Sequence, residues 1–247
     1  MEVKLIAYTP NPDGLANLCA ETCVSKTIPT IKTSANGLRS LQEALESRHE
    51  SVIEHCSFTF AVSGVSRALT HQLVRHRIAS YSQQSQRYVD MSGFNYVIPE
   101  SILGASDDVF NEYASLMDAI DKTYQSFIER GIPDEDARYI IPQSCCTNII
   151  VTMNARELRH FFATRTCARA QWEIRELANK MLEICKKVSP LIFEDAGPSC
   201  VRDGFCREQR SCGRAPKLER VIEIMDEMDC EESIRDEQRT AERECHR

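Results

Sequence analysis

Ser57-Phe58-Thr59-Phe60-Ala61-Val62-Ser63 is the most regular stretch of the chain, with Phe58, Phe60 and Val62 alternating with small or polar residues. That period of two belongs to a strand with one face on a core. Gly64 is read as its end. Ser66 then stands where a helix cap belongs, and Leu69 with Leu73 mark an apolar helical face that runs into Arg75-His76-Arg77. Upstream, Val3 to Tyr8 alternates as a strand, and Gly37 to Ser47 has helical spacing through Leu38, Leu41 and Leu45. Downstream, Phe94 to Ile98 reads as a strand that ends at Pro99. Asp107 to Arg130 reads as a long helix with Val109, Tyr113, Met117, Ile120 and Tyr124 on one face, stopped by Gly131. Pro133 opens a short helix through Asp136, Ala137 and Arg138. Asn148 to Thr152 is β-branched enough for another strand, and helices follow over Ala155 to Thr164 and Ala170 to Lys187. Strands and helices are interspersed without a βαβ rhythm. The expected class is α+β, a central, mainly antiparallel sheet with flanking helices.

The composition changes after Pro190, which divides the chain into a domain over residues 1–190 and an extension over 191–247. Within the extension, Cys200 to Arg214 reads as irregular. Leu218, Val221, Ile222, Met225 and Met228 make one amphipathic stripe, and the chain beyond Asp229 is almost entirely charged, as in a solvated tail. The formal net charge is −7, so no generally basic surface for DNA or RNA is expected, and a polyanion site must be a local cluster. The start MEVKLIAYTP lacks the basic, then apolar, pattern of a signal peptide, and no apolar run is long enough to span a membrane. A cytoplasmic protein is expected. Its 12 cysteines are read as thiols in a reducing compartment, because a chain of 247 residues does not need disulfide staples. Cys200, Cys206 and Cys212 recur at intervals unlike common zinc spacings, and no metal ligand is assigned.

The densest unusual segment runs from Arg75 to Tyr88, with three arginines, a histidine and several hydroxyls. Such groups suit a nucleotide phosphate: arginine offers a planar fork of donors that stays charged, and serine adds short hydrogen bonds. Ser85 and Arg87 are the natural pair. A solvated loop with surface salt bridges would have the same composition. No GxGxxG occurs, which argues against a Rossmann cofactor site but not against a flavin in another fold.

Arg75-His76-Arg77, seven residues and then Ser85 resemble the RHR-x7-S signature of flavin-dependent thymidylate synthases, with Arg87-Tyr88 in register. His49 to His55, Gly131-Ile-Pro before Ala137-Arg138, Asn154-Ala-Arg156, and Arg165 before Ala170-Gln-Trp-Glu173 match the same family in order. The resemblance covers residues 45 to 185. It implies an enzyme that methylates dUMP to dTMP with FAD as redox cofactor, NADPH or NADH as reductant and methylene-tetrahydrofolate as carbon donor, assembled as a homotetramer with shared active sites. It implies an FAD site at Ser51, Arg75, His76, Arg77, Gln83, Asn154, Ala155, Arg156 and His160. The dUMP site would comprise Gln72, Leu73, Val74, Arg75, Gln83, Gln84, Ser85, Gln86, Arg87, Arg138 and Arg165. Ser82, Gln83 and His160 depart from residues common in the family but keep hydrogen-bonding capacity.

Within this resemblance, Arg75 and Arg77 would counter flavin charge. Arg165 would act catalytically: a fixed guanidinium beside uracil N3 stabilises the anion that makes C5 nucleophilic. Residue type alone also permits a salt bridge from Arg165 to Glu157 or Glu173, and a buried, backbone-bonded role for His76. Ser85 is expected to bind substrate rather than attack it, and no cysteine nucleophile is required. A nucleotide- or flavin-binding module without turnover, and a cysteine-based metal protein, are the other classes these residues allow.

Overall fold

The computed structural model describes residues 1–33 and 37–225. Its four strands are β1 (Glu2–Tyr8), β2 (Ser57–Ser66), β3 (Ala79–Gln83) and β4 (Cys146–Asn154), ordered β1-β2-β4-β3 with every neighbouring pair antiparallel. The helices are α1 (Pro12–Thr22), α2 (Arg39–Glu46), α3 (Arg67–Leu73), α4 (Glu100–Leu103), α5 (Asp107–Glu129), α6 (Asp134–Ala137), α7 (Ala155–Arg165), α8 (Trp172–Val188) and α9 (Ser199–Asp203). The α+β expectation holds.

Register explains why the β2 alternation decides the fold. Leu5 pairs with Phe60, Phe60 with Val151 and Val151 with Tyr81, so one apolar row crosses all four strands on the same face. Helices α3, α7 and α8 lie on β2, β4 and β1 and close that face with Leu69, Leu73, Leu158, Phe161, Phe162, Ile174, Leu177 and Met181. Phe58 and Phe60 are fully buried there, and burying each such ring contributes roughly 1.5–3 kcal/mol. On the other face, Lys4, Ala61, Ser82, Gln84, Asn148 and Ile150 line an open groove of about 410 Å³.

Gly64 does not end β2. The strand bulges between Val62 and Val65, where Gly64 adopts φ 65°, and resumes to Ser66. Such a positive φ suits glycine because it has no Cβ to clash. Ser66 then caps α3 as expected, its hydroxyl accepting from the Leu69 N–H at 3.0 Å. The same serine donates through N–H (2.7 Å) and Oγ (2.5 Å) to Glu173 at the start of α8. That buried carboxylate locks the strand-to-helix corner.

Phe94–Ile98 is not a strand; it makes one isolated bridge, Tyr96 to Cys145. Its rings serve packing instead: Phe94 packs on a second small core of Met91, Tyr124, Ala137 and Cys145, and Tyr96 stacks edge-on against Tyr113 of α5. Four of these elements lie outside the sequence expectations: α1, β3, α4, and α9, most of which falls in the stretch read as irregular. Helix α1 starts at Pro12 with Asn11 as its cap, and β3 occupies the middle of the arginine-rich segment. Beyond the proposed boundary, Ile192 and Phe193 still belong to the main core. Residues 218–225 are helical, with Leu218, Ile222 and Met225 exposed. Met228 and the charged stretch after Asp229 lie outside the described residues. No described helix is long and apolar enough to cross a membrane.

Candidate active site

Helix α3 ends at Leu73, and the chain turns through Val74 and Arg75 to His76, whose N–H donates to the Leu73 carbonyl at 3.1 Å. Tyr81 on β3 fixes this turn from below: its hydroxyl donates to the carbonyls of Leu73 and His76, each at 2.8 Å. His76 is thereby buried between the sheet and α7, edge-on to Phe161 at 5.0 Å, while Arg75 and Arg77 on either side project to the surface. Alternation of the RHR triplet thus sends two cations outward and one imidazole inward.

The inward histidine meets three groups of α7. Its Nε2 accepts from the Arg165 Nε–H at 3.1 Å, its Nδ1 lies 3.4 Å from Glu157 Oε1, and the His160 ring is 5.7 Å away. Burial, then the Arg165 cation, then His160 lower the His76 pKa to about 4, so the ring is neutral at pH 7 with Nε2 as acceptor. Burial raises the pKa of Glu157. Arg165 makes neither acid contact considered from the sequence: Glu173 holds Ser66, and Arg165 instead reaches His76 and, through Nη2, the Gln72 carbonyl at 3.4 Å. Among the described residues its Nη1 has no partner.

A cavity of about 570 Å³ opens beside this cluster, bounded by Asn154, Arg156, Glu157, Arg159 and His160 of the β4–α7 corner, Glu50 and Glu54 of the preceding turn, and Arg202 of α9. That volume is typical of small-molecule sites. Asn154 caps α7 through Oδ1, which accepts from the Glu157 N–H at 2.9 Å, leaving its amide Nδ2 as a donor. Arg156 is ion-paired with Glu54 at the rim. Behind it, buried Arg159 is fixed by Asp195 (2.6 and 3.0 Å), the Ile192 carbonyl (2.5 Å) and Glu50 (3.3 Å). Asn154, Arg156, His160 and Arg202 bring donors to this cavity, and Glu50, Glu54 and Glu157 bring carboxylates. Ser51 is exposed in the turn below, and Ala155 is buried.

Most of the remaining expected positions lie elsewhere, on β3, on the segment that follows it and just after α6. Gln83 is anchored to Thr70 (3.0 Å) and Thr147 (3.3 Å), and Gln84 accepts from Arg67 through its carbonyl at 3.2 Å. The Ser85 hydroxyl accepts from the Arg87 N–H at 3.2 Å, with no base beside it among the described residues. Arg87 is paired with Glu135 at 2.8 Å, and Arg138 Nε–H donates to the Glu135 carbonyl at 3.0 Å. A separate cavity of about 430 Å³ gathers Arg67, His71, Gln86 and Arg138. Leu73 is fully buried, so only its backbone is available to a ligand, whereas Val74 is exposed.

Residue type did not single out Glu50, Glu54, Arg159 or Arg202, because folding alone brings these distant positions together. Glu50 and Glu54 lie within the His49–His55 stretch matched to the family, which was the one available signal. Burial pushes Cys145 up to about 11 and Cys56 up to about 12, and raises Cys146 and Cys185, so these four thiols are poor nucleophiles. No group of three or more His, Cys, Asp or Glu is disposed to hold a metal among the described residues.

Residues 4–191 match the sequence model of the family described as "Thymidylate synthase complementing protein". The chain is 46% identical over 232 residues to the flavin-dependent thymidylate synthase of Geobacter sulfurreducens, covering 91% of this chain and 99% of that one. It is 45% identical over 244 residues to that of Clostridium tetani (90% and 96%) and 47% identical over 223 residues to that of Pyrococcus horikoshii (85% and 90%). The chain belongs to the flavin-dependent thymidylate synthase family, and it is an enzyme of that class.

Proposed function

We propose that this enzyme carries out the reductive methylation of dUMP to dTMP, with methylene-tetrahydrofolate as carbon donor, NADPH or NADH as reductant and FAD as the bound redox cofactor. One observation carries the reading. The cavity holding Asn154, Arg156 and His160 shares Glu157 with the His76–Arg165 pair, so a cofactor-sized site adjoins an arginine with one uncommitted nitrogen. Asn154, Arg156 and His160 would hold FAD, helped by Arg202 and by Arg75 and Arg77 from the RHR turn. The chemistry FAD supplies there is redox, passing on the reducing equivalents that complete the methyl group.

The protein's own work is binding and electrostatics. Arg87, Ser85 and Arg138 bind the phosphate of dUMP and so set the ring's position. Arg87 leaves Glu135 to do so, exchanging one carboxylate for a more highly charged partner. Arg165 places its guanidinium beside uracil N3 and an adjacent carbonyl oxygen, which stabilises the anion at C5. Glu54 releases Arg156 when an anionic cofactor takes its place. The extension over 191–247 contributes Arg202 to the cavity wall and Asp195 to the support of Arg159.

The two walls of the dUMP site come from different subunits of a cytoplasmic homotetramer. Within one chain the two sets have separate anchors: Arg165 is bonded to Gln72 and His76, whereas Arg87 and Arg138 both reach Glu135. Closed symmetry would bring one wall of each subunit against the other wall of its neighbour. Co-expressed Arg87→Ala and Arg165→Ala chains should therefore regain activity that each lacks alone, with hybrids confirmed by native mass spectrometry; hybrids without activity would overturn the shared site. For the reaction itself, the purified protein should absorb as a flavoprotein and oxidise NADPH in a manner that responds to dUMP. A colourless protein with no response to dUMP contradicts it.

A further inference from the structure

Arg165 has an unusual anchor. Neither Glu157 of its own helix nor Glu173 of the next pairs with the Arg165 guanidinium: Glu173 holds Ser66, and Glu157 faces the opposite nitrogen of His76. Between carboxylate and guanidinium stands one imidazole, with Nδ1 toward Glu157 at 3.4 Å and Nε2 toward Arg165 at 3.1 Å. An imidazole that accepts at Nε2 must carry its proton on Nδ1, the edge that faces Glu157, so the carboxylate selects the tautomer Arg165 requires. Because Nε and Nη2 are held, by His76 and by the Gln72 carbonyl, the Nη1 side of the fork is the part left for a ligand.

We propose that His76, oriented by Glu157, is a positioning residue for Arg165: its unprotonated Nε2 holds the Nε–H edge so that the opposite side of the guanidinium is presented to the uracil ring. This deepens the reading of Arg165 given above and rests on it. It differs from a flavin-lining role for His76, which is 6% exposed, packed against Phe161 and hydrogen-bonded at Nε2, with Glu157 Oε1 3.4 Å from Nδ1. The charged and titratable groups that face His76 are Glu157, His160 and Arg165 from α7 and the Tyr81 hydroxyl from β3. Protonation of the ring removes the acceptor and sets a second cation against Arg165. The relay therefore works only while His76 is neutral, and it is lost as pH falls.

The test compares His76→Leu, which keeps apolar bulk but removes both nitrogens, with His76→Gln, which keeps an acceptor and a donor. Turnover, KM for dUMP, bound flavin per chain and melting temperature are measured for each, with kcat followed from pH 7 down to the limit of stability. His76→Leu should lower kcat by about tenfold or more with flavin content retained and KM for dUMP changed less than kcat, the pattern of an interaction used in the transition state. His76→Gln should recover most of that loss and should lack the acid limb of the wild-type kcat profile. In an Arg165→Lys background, which has no Nε–H for His76 to hold, the same two changes should alter kcat by less than about twofold.

Unchanged kcat in His76→Leu, or an equal loss in both backgrounds, overturns the relay. If His76→Leu does not fold, His76→Gln decides: an unaltered acid limb, or a loss of kcat as large as that of Arg165→Ala with flavin still bound, also overturns it. Full activity in Arg165→Ala would instead sink the proposed role of Arg165 itself. Activity in His76→Leu beside an inactive Arg165→Ala sinks only the relay.

Discussion

Truncating Arg165 to alanine separates its chemical role from its structural one. In the folded protein the side chain contributes one hydrogen bond to His76 at 3.1 Å and a longer one to the Gln72 carbonyl at 3.4 Å. Losing such bonds costs roughly 1 kcal/mol each at a partly exposed site, so the melting temperature should fall by only about 4–8 °C for a chain of this size. The cavity lined by Asn154, Arg156 and His160 does not include Arg165, so bound flavin should stay near the wild-type amount. Removing one preorganised donor from a developing anion costs about 10²–10³ in kcat, or roughly 3–4 kcal/mol. The stability change is therefore small beside the catalytic one. The assay follows dTMP formation by chromatography at saturating dUMP, with the flavin-to-protein absorbance ratio and melting curve taken on the same sample. Wild-type kcat in Arg165→Ala would refute the role assigned to the guanidinium, and loss of flavin together with turnover would assign it to the cofactor site instead.

Arg87→Ala should act first on KM for dUMP, raising it by about tenfold or more through loss of a charge-assisted phosphate contact; a dUMP titration with unchanged KM contradicts that contact. Alanine replacements of Cys145, Cys146 and Cys167 should preserve turnover wherever the protein folds, and mass spectrometry after fluoro-dUMP treatment should find no cysteine adduct. His76, held near 4 against an ordinary 6.5, lowers stability as pH falls: the unfolded chain takes up the proton near 6.5 and the folded chain only near 4. Its contribution is complete above pH 6.5, is lost progressively down to pH 4, and amounts to about 3 kcal/mol. Glu157, with its pKa raised by burial, acts in the opposite sense, so the His76→Gln variant supplies the comparison. Its denaturation midpoint should fall less steeply than wild type between pH 6.5 and 5, and equal slopes would refute the buried neutral state.

What could be read from the sequence followed the strength of the local pattern. Phe58, Phe60 and Val62 announce β2 because a one-sided strand must alternate, and Ser66 announces α3 because an N-cap needs a side-chain acceptor. β3 stayed hidden because Ala79-Ser-Tyr-Ser-Gln83 is an edge strand whose outward Ser80 and Ser82 resemble a polar loop. Helix α1 stayed hidden because Asn11-Pro12-Asp13-Gly14 carries turn chemistry, while its stability comes from tertiary bonds. Buried Asp13 accepts from the Ser189 hydroxyl at 2.5 Å and Asn17 from the Leu41 N–H at 3.0 Å. Phe94 and Tyr96 looked like strand residues because aromatics favour strands, and a second core claimed them.

The site divides the same way. Arg75, Arg77, Arg87 and Arg165 were singled out by the order of the motifs the chain shares with the family; for Arg165, residue type alone pointed equally to a salt bridge. The alliance of Glu157, His76 and Arg165 was not legible, since it depends on α7 folding back across a turn 89 residues earlier in the chain. Nor could spacing reveal that Arg202 of the extension reaches the same cavity as Asn154.

The most direct measurement is transfer of label from methylene-tetrahydrofolate, carbon-13 in the methylene group, to dUMP by the purified protein in the presence of NADPH without oxygen. The methyl group of the dTMP formed should carry the label, and its formation should require the protein-bound flavin. Reduced flavin with unchanged dUMP, or dTMP formed equally well after the flavin has been removed, would contradict the account.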